Sequence, residues 1–193
     1  MRSLFAAHCD RGASMFRRTL ICCLAAAGWT ATAAPAQTPA TAQIARGEYL
    51  AHIMGCTDCH TPGHFTGGEK PGYSLAGSDV GFPIPGLGVF VGPNLTPDKT
   101  GLGDWTAAEI ATAITTGKTP SGRMLAPVMP WPDFAHLTHD DAMAIAAYLK
   151  TVAPVKNTVP GPFGPDQKVT VFVMPVVPAA VYNGLPKPKP PAK

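Results

Sequence analysis

Apolar residues in this chain cluster into three stretches with helical spacing, separated by long runs that lack any period. Between residues 42 and 55, Ile44, Gly47, Leu50, Ala51 and Ile53 are assigned to one face, which predicts a helix. A second helix is predicted from Thr106, where Thr106 and Glu109 have the spacing of a capping box. Ile110, Ala113 and Ile114 supply its apolar stripe and Gly117 its stop. A third is predicted from Thr138, with Asp141 suited to a helix N-terminus. Met143, Ile145, Ala146, Leu149 and Val152 give its apolar face, and Pro154 ends it. Gly47 and Tyr148 are expected to mark a close crossing of the first and last helices, since a helical glycine otherwise costs about 1 kcal/mol against alanine.

The pattern therefore predicts an all-α class, with about three main helices and long loops. The run from His60 to Trp105 is rich in Gly and Pro and shows little period. So long a loop is uncommon in a compact domain, unless something other than side chains supplies apolar surface for it to cover. Ten of the 22 prolines lie from Pro154 onward, so residues 158–193 read as a Pro-rich extension, wrapping the domain or docking elsewhere. Within it VTVFVMPVV has the composition of one short strand, and KPKPPAK that of an extended, solvated end.

The first residues alter the picture. Met15-Phe16-Arg17-Arg18, an apolar run from Thr19 to Trp29 and the small residues ATAAPAQ follow the order of a secretory signal. Residues 1–36 are expected to be that signal, cut near Gln37, with residues 1–14 a mis-assigned start upstream of Met15. The apolar run is too short for a permanent anchor, so no transmembrane span is expected in the mature chain. The signal holds four of the 15 Lys+Arg and one of the 12 Asp+Glu, which leaves 11 of each. The formal charge of +3 then says nothing of nucleic acid, and no nucleic-acid partner is expected. Residues 37–157 make up the predicted domain.

Three of the five cysteines also leave with the signal, so Cys56 and Cys59 stand alone in GCTDCHT, residues 55–61. A disulfide closing so short a loop would stabilise little. A thioredoxin-like pair needs a preceding strand and a βαβ frame, whereas residues 42–55 read as helix. A zinc site needs four ligands, and no second cysteine pair exists. The remaining reading is haem attachment by Cys-x-x-Cys-His. On one helical turn Cys56 and Cys59 face the same way, so both thiols can add to vinyl groups on one haem edge. His60 can then bind the iron.

A carrier of electrons closes the other iron position with methionine, which raises the potential. Met124, Met129, Met143 and Met174 follow the motif. Met143 fits a helix core, and Met174 sits in the Pro-rich tail. Met129, in APVMPWPDF, is favoured because three prolines stiffen its loop. Met124, after Gly122, is the runner-up. His52, His64, His136 and His139 are weaker rivals: His64 is too close in sequence to His60, and His139 stands at a helix start.

CTDCH, the turn Asn94 to Asp98, Gly101 to Trp105 and Met129-Pro130-Trp131 together resemble the c-type cytochrome domains of bacterial periplasmic dehydrogenases, alcohol and gluconate dehydrogenase cytochrome subunits among them. The resemblance covers residues 42–157. It implies a cytochrome c fold wrapped round a covalent haem, with Met129 binding iron beside His60. Those subunits often carry three haem domains, whereas one CxxCH implies one haem c here. The expected role is periplasmic electron transfer, not catalysis, by cycling iron between Fe(II) and Fe(III). A dehydrogenase is the expected donor, and an oxidase or another cytochrome the acceptor, with any membrane association made through a partner. The alternative is a haem peroxidase or small-ligand sensor, which needs a labile sixth ligand.

Overall fold

The computed structural model describes residues 38–186. The expected signal at residues 1–36 and the KPKPPAK end lie outside the described residues.

Helix α1 runs Pro39–Ile53, with the Thr38 side chain capping its first turn and Pro39 at a position that needs no hydrogen bond. Gly55, at φ 68°, turns the chain into the five-residue helix α2, Cys56–His60. Helix α3 spans Ala107–Thr116 and α5 spans His139–Leu149, with a single turn, α4, at Trp131–Phe134 between them. Thr106 and Glu109 form the reciprocal capping box, Gly117 ends α3 in the left-handed conformation, and Thr138 caps α5 through the Asp141 amide. A last short helix, α6, covers Ala179–Gly184.

The expected all-α class does not hold. Strands β1 (Val80–Ile84) and β2 (Gly88–Val91) form an antiparallel hairpin, and β3 (Phe172–Val173) pairs parallel to β1. The result is a small mixed sheet in the order β2-β1-β3. Burying the run between His60 and Trp105 requires partners for its backbone groups, and the hairpin supplies them. Its turn has Pro85 second and Gly86 third with φ 77°, and the Leu87 amide donates to the Ile84 carbonyl at 3.0 Å. Pro83 and the interleaved glycines hide the period-2 pattern. β3 falls inside the VTVFVMPVV stretch.

The core lies where α1 and α3 pack on α5. Leu50, Ile110, Ile114, Ile145 and Leu149 are all buried there. On α1 the buried face runs through Gly47, Leu50 and Ala51 to Met54. Ile53 does not share it and is 60% exposed. The spacing of three and four from Gly47 explains this, because Ile53 lies six residues on, away from the stripe. Gly47 meets α5 as closely as expected: a Cβ there would overlap the Ala144 carbonyl oxygen and stand 2.9 Å from Tyr148 Cβ. Burying this face of α1 fixes where its C-terminus, and hence α2, presents the cysteines.

The turn from Asn94 to Thr100 ties the chain after α5 to the body. Asn94 is 1% exposed, and its side-chain amide donates to the Thr100 hydroxyl at 3.0 Å and the Val155 carbonyl at 2.8 Å. Asn157 in turn donates to the Ala76 carbonyl at 2.7 Å. The following segment is thereby led across the hairpin, where Phe163 and Val89 exchange backbone hydrogen bonds.

Candidate haem site

α2, α3, α5, the hairpin and the loop before α4 enclose an apolar cleft of about 360 Å³. That volume falls in the range of about 300–1,000 Å³ usual for ligand pockets. Cys56, Cys59, His60 and Met129 all line it. Ile110, Ile114, Ile145 and Leu149 form its inner wall, and Phe82 and Phe90 reach it from the hairpin.

Both cysteines are half-buried free thiols. Burial pushes the Cys56 thiol up to about 11 and raises Cys59 too. Neutral thiols are the opposite of the depressed, thiolate-rich pair that a redox disulfide motif needs. Their helical turn is nonetheless the geometry for two parallel covalent links to one planar group.

His60 is buried, and burial lowers its pKa, with a smaller opposing contribution from its bond to Pro93. The neutral ring donates Nδ1–H to the Pro93 carbonyl at 2.8 Å. No side-chain polar atom among the described residues is both buried and unpaired, so Nε2, which has no hydrogen-bond partner, opens onto the cleft. A ligand histidine is set up in this way, with one nitrogen fixed by a carbonyl and the other free for metal. Gly92 permits it, because a Cβ there would overlap the Cys59 carbonyl oxygen and lie 3.3 Å from His60 Nδ1.

Met129 is half-buried and reaches the cleft from the loop before α4. Trp131 anchors that loop. Its Nε1–H donates to the Leu125 carbonyl at 3.3 Å, and the Leu125 amide donates to the Gly117 carbonyl at 2.7 Å. The indole lies so close over Gly117 that a Cβ there would come within 2.7 Å of the ring. Met124 is 52% exposed, pairs through its backbone with Lys118 and is absent from the cleft wall. Met143, Met174, His52, His64, His136 and His139 do not line it either. His64 is instead held by Glu69, with Nδ1 to carboxylate 2.8 Å, and lies 3.7 Å from Asp58.

Several lining residues escape a reading of the sequence. Met54, the C-cap of α1, borders the cleft beside Cys56 and packs on the core. Pro160, Gly161 and Pro162 close part of the cleft from the C-terminal segment. Among the described residues Arg123 is the one Lys or Arg on the wall, and no Asp or Glu lines it. The prolines after Pro154 mark a wrapped segment, but nothing in their spacing says what it covers. An open groove of about 500 Å³ between Tyr73 and Val171 contains none of the expected ligands.

Haem fits these residues. Two thiols share one helical turn, an imidazole nitrogen and a thioether are presented to one apolar space, and glycine makes room beside the imidazole. These features together define a c-type haem domain. Residues 44–153 match the cytochrome c family, and the chain belongs to it. Membership implies covalently bound haem.

The chain is 38% identical over 125 residues to the cytochrome c subunit of a quinone alcohol dehydrogenase from Gluconacetobacter polyoxogenes, covering 62% of this chain and 25% of that protein. It is 36% identical over 149 residues to the fructose dehydrogenase cytochrome subunit of Gluconobacter japonicus, covering 71% and 29%. It is 37% identical over 117 residues to the gluconate 2-dehydrogenase cytochrome c subunit of Pantoea cypripedii, covering 59% and 24%. The match thus spans about a quarter of the length of these relatives. Among the described residues no helix is long and apolar enough to cross a membrane.

Proposed function

We propose that this chain is an exported, periplasmic electron carrier with one haem c, taking electrons from a dehydrogenase and passing them to an oxidase or another cytochrome. The observation that carries the reading is the meeting of Cys56, Cys59, His60 and Met129 in one apolar cleft. When bound, haem supplies a one-electron Fe(II)/Fe(III) couple. Cys56 and Cys59 would hold it through thioethers, and His60 Nε2 and the Met129 sulfur would bind its iron. The Nδ1–H···O bond to Pro93 keeps the imidazole oriented, and the Trp131 anchor holds the Met129 loop against thermal escape. Ile110, Ile114, Ile145 and Leu149 exclude water, which limits reorganisation when charge changes. Arg123 is the cationic side chain available to the carboxylates that haem carries. The dehydrogenase partner is supported by the relatives, which are cytochrome subunits of such complexes. Export is supported by the signal pattern ending near Ala36, and the haem domain is assigned to residues 37–157.

The test uses protein matured in a host with a haem c assembly system. Haem should stay with the polypeptide through denaturing electrophoresis and acid-acetone extraction, and the ferrous protein should bind carbon monoxide poorly. Extractable haem would overturn the attachment, and ready carbon monoxide binding would overturn the closed carrier in favour of a ligand-binding role.

A further inference from the structure

Lys150 follows the last residue of α5 and acts as its C-cap. Its ammonium donates to three backbone carbonyls: Leu102 at 3.2 Å, Gly103 at 3.1 Å and Trp105 at 2.9 Å. An ammonium has three protons, so its hydrogen-bonding capacity is filled by one turn of backbone. Among the described residues no carboxylate forms an ion pair with it. Its charge is therefore met by dipoles alone, three from that turn and the C-terminal end of α5.

The turn is not a remote loop. Leu102 and Trp105 both line the cleft. The turn's own bonds are few: the Leu102 amide donates to Thr96 at 2.9 Å, Gly103 to Asp98 at 2.9 Å and Trp105 to Leu102 at 3.1 Å. Every one joins residues inside the 96–105 stretch. Buried Leu102 and half-buried Trp105 pack in the core with Ile145 and Leu149 of α5, and Lys150 adds the hydrogen bonds that tie the turn's backbone to that helix.

We propose that Lys150 is a positioning residue of the haem cleft: it clamps the 102–105 turn to α5, and its unpaired charge biases the site towards the reduced state. The clamp follows from the three bonds. The bias follows from Coulomb's law, since a positive charge held behind the wall of a site disfavours the extra positive charge of the oxidised iron. Arginine is not equivalent. Its planar fork matches two coplanar acceptors, whereas these three carbonyls converge on a point. The second half of the inference rests on the reading of the cleft as a haem site; the first does not.

The experiment compares the full chain with Lys150→Met, which keeps length and loses charge and donors, and Lys150→Arg, which keeps charge. Amide hydrogen exchange at Leu102, Gly103 and Trp105 reads the clamp whatever fills the cleft. Lys150→Met should speed it by about tenfold or more while the amides of α3 keep their protection. The midpoint potential of the haem-loaded protein should fall in Lys150→Met and return towards the wild-type value in Lys150→Arg, with exchange still fast. Unchanged exchange in both variants overturns the clamp. Fast exchange with an unmoved potential in Lys150→Met overturns the bias. Should Lys150→Met not fold, Lys150→Arg still decides the clamp: wild-type exchange rates there overturn it.

Discussion

His60 Nδ1 and the Pro93 carbonyl oxygen lie 2.8 Å apart, and Gly92 is the residue that lets them meet. The bond places the ring proton on Nδ1 and leaves Nε2 as the free lone pair. Gly92→Ala sets a Cβ against the Cys59 carbonyl, which is backbone and cannot swing aside. The strand must then retreat from His60, and Pro93 with it. Loss of such outer partners costs about 10–100-fold in metal affinity at ligand histidines. The variant should mature with a lower haem-to-protein ratio, and its ferrous form should bind carbon monoxide more readily. Wild-type loading with an unchanged spectrum would show that the Pro93 contact does not orient the ring.

Met129→Ala and Met124→Ala separate the expected ligand from its runner-up. Thioether ligation of low-spin ferric haem gives a weak far-red charge-transfer band. Met129→Ala should abolish it, open the iron to carbon monoxide and lower the midpoint potential by on the order of 0.1 V, a fraction of the ~0.8 V that axial ligands span. The sign follows because a soft, neutral sulfur favours ferrous iron. Met124 is half-exposed and off the cleft wall, so its loss should leave band and potential in place. The opposite assignment of effects would move the ligand to Met124.

What the sequence declares, and what it hides, can be seen in single residues. Thr106, Glu109, Gly117 and Thr138 act within one turn of themselves, and their caps are legible because local chemistry decides them. CxxCH is legible for the same reason. The hairpin is not, because Pro83 and four glycines between 81 and 92 break the alternation on which a strand is recognised. Ile53 misleads because an apolar residue beside an apolar face looks like part of it. Pro93, Arg123, Lys150 and Pro160 cannot be assigned in advance. Pro93 and Lys150 meet partners 33 to 48 positions away through backbone oxygen, and Arg123 and Pro160 reach the cleft wall only in the folded chain, which leaves no trace in residue type. Met54 precedes the motif and so falls outside a search that starts from His60.

Arg46 and Asp141 link α1 to α5 by a 2.8 Å contact at the surface. The hydrogen bond from Arg46 holds the Asp141 carboxyl below its ordinary range, helped by Thr138. A carboxylate with a depressed folded pKa contributes stability that is fully present above its unfolded value of about 3.9. That contribution is lost as pH falls through the lower, folded value. The stability gap between wild type and Asp141→Asn should therefore be constant near neutrality and close on acidification below pH 4. It should also shrink as salt is added, because the pair is exposed and screened. Chemical denaturation of both proteins across pH checks this. A gap that widens in acid would mean that the carboxylate acts through something other than its charge.

Gly47→Ala sets two known effects against each other at the crossing of α1 and α5. Alanine is the better helix former by about 1 kcal/mol. At an exposed helical site that preference would win. At Gly47 the added methyl meets the Ala144 carbonyl oxygen and Tyr148 Cβ. Tyr148 could shift, but the carbonyl belongs to the α5 backbone and moves only with the helix. Overpacking of a close contact costs about 1–3 kcal/mol. The net result should be destabilisation by up to about 2 kcal/mol, seen as a lower denaturant midpoint at an unchanged slope. The haem site should feel it as well, since α1 leads through Gly55 into Cys56 and α5 supplies Ile145 and Leu149 to the cleft. Pushing the helices apart displaces the cysteines from that wall, so covalent loading should fall together with stability. A stabilised Gly47→Ala variant with full loading would show that the crossing is looser than the 2.9 Å approach to Tyr148 indicates.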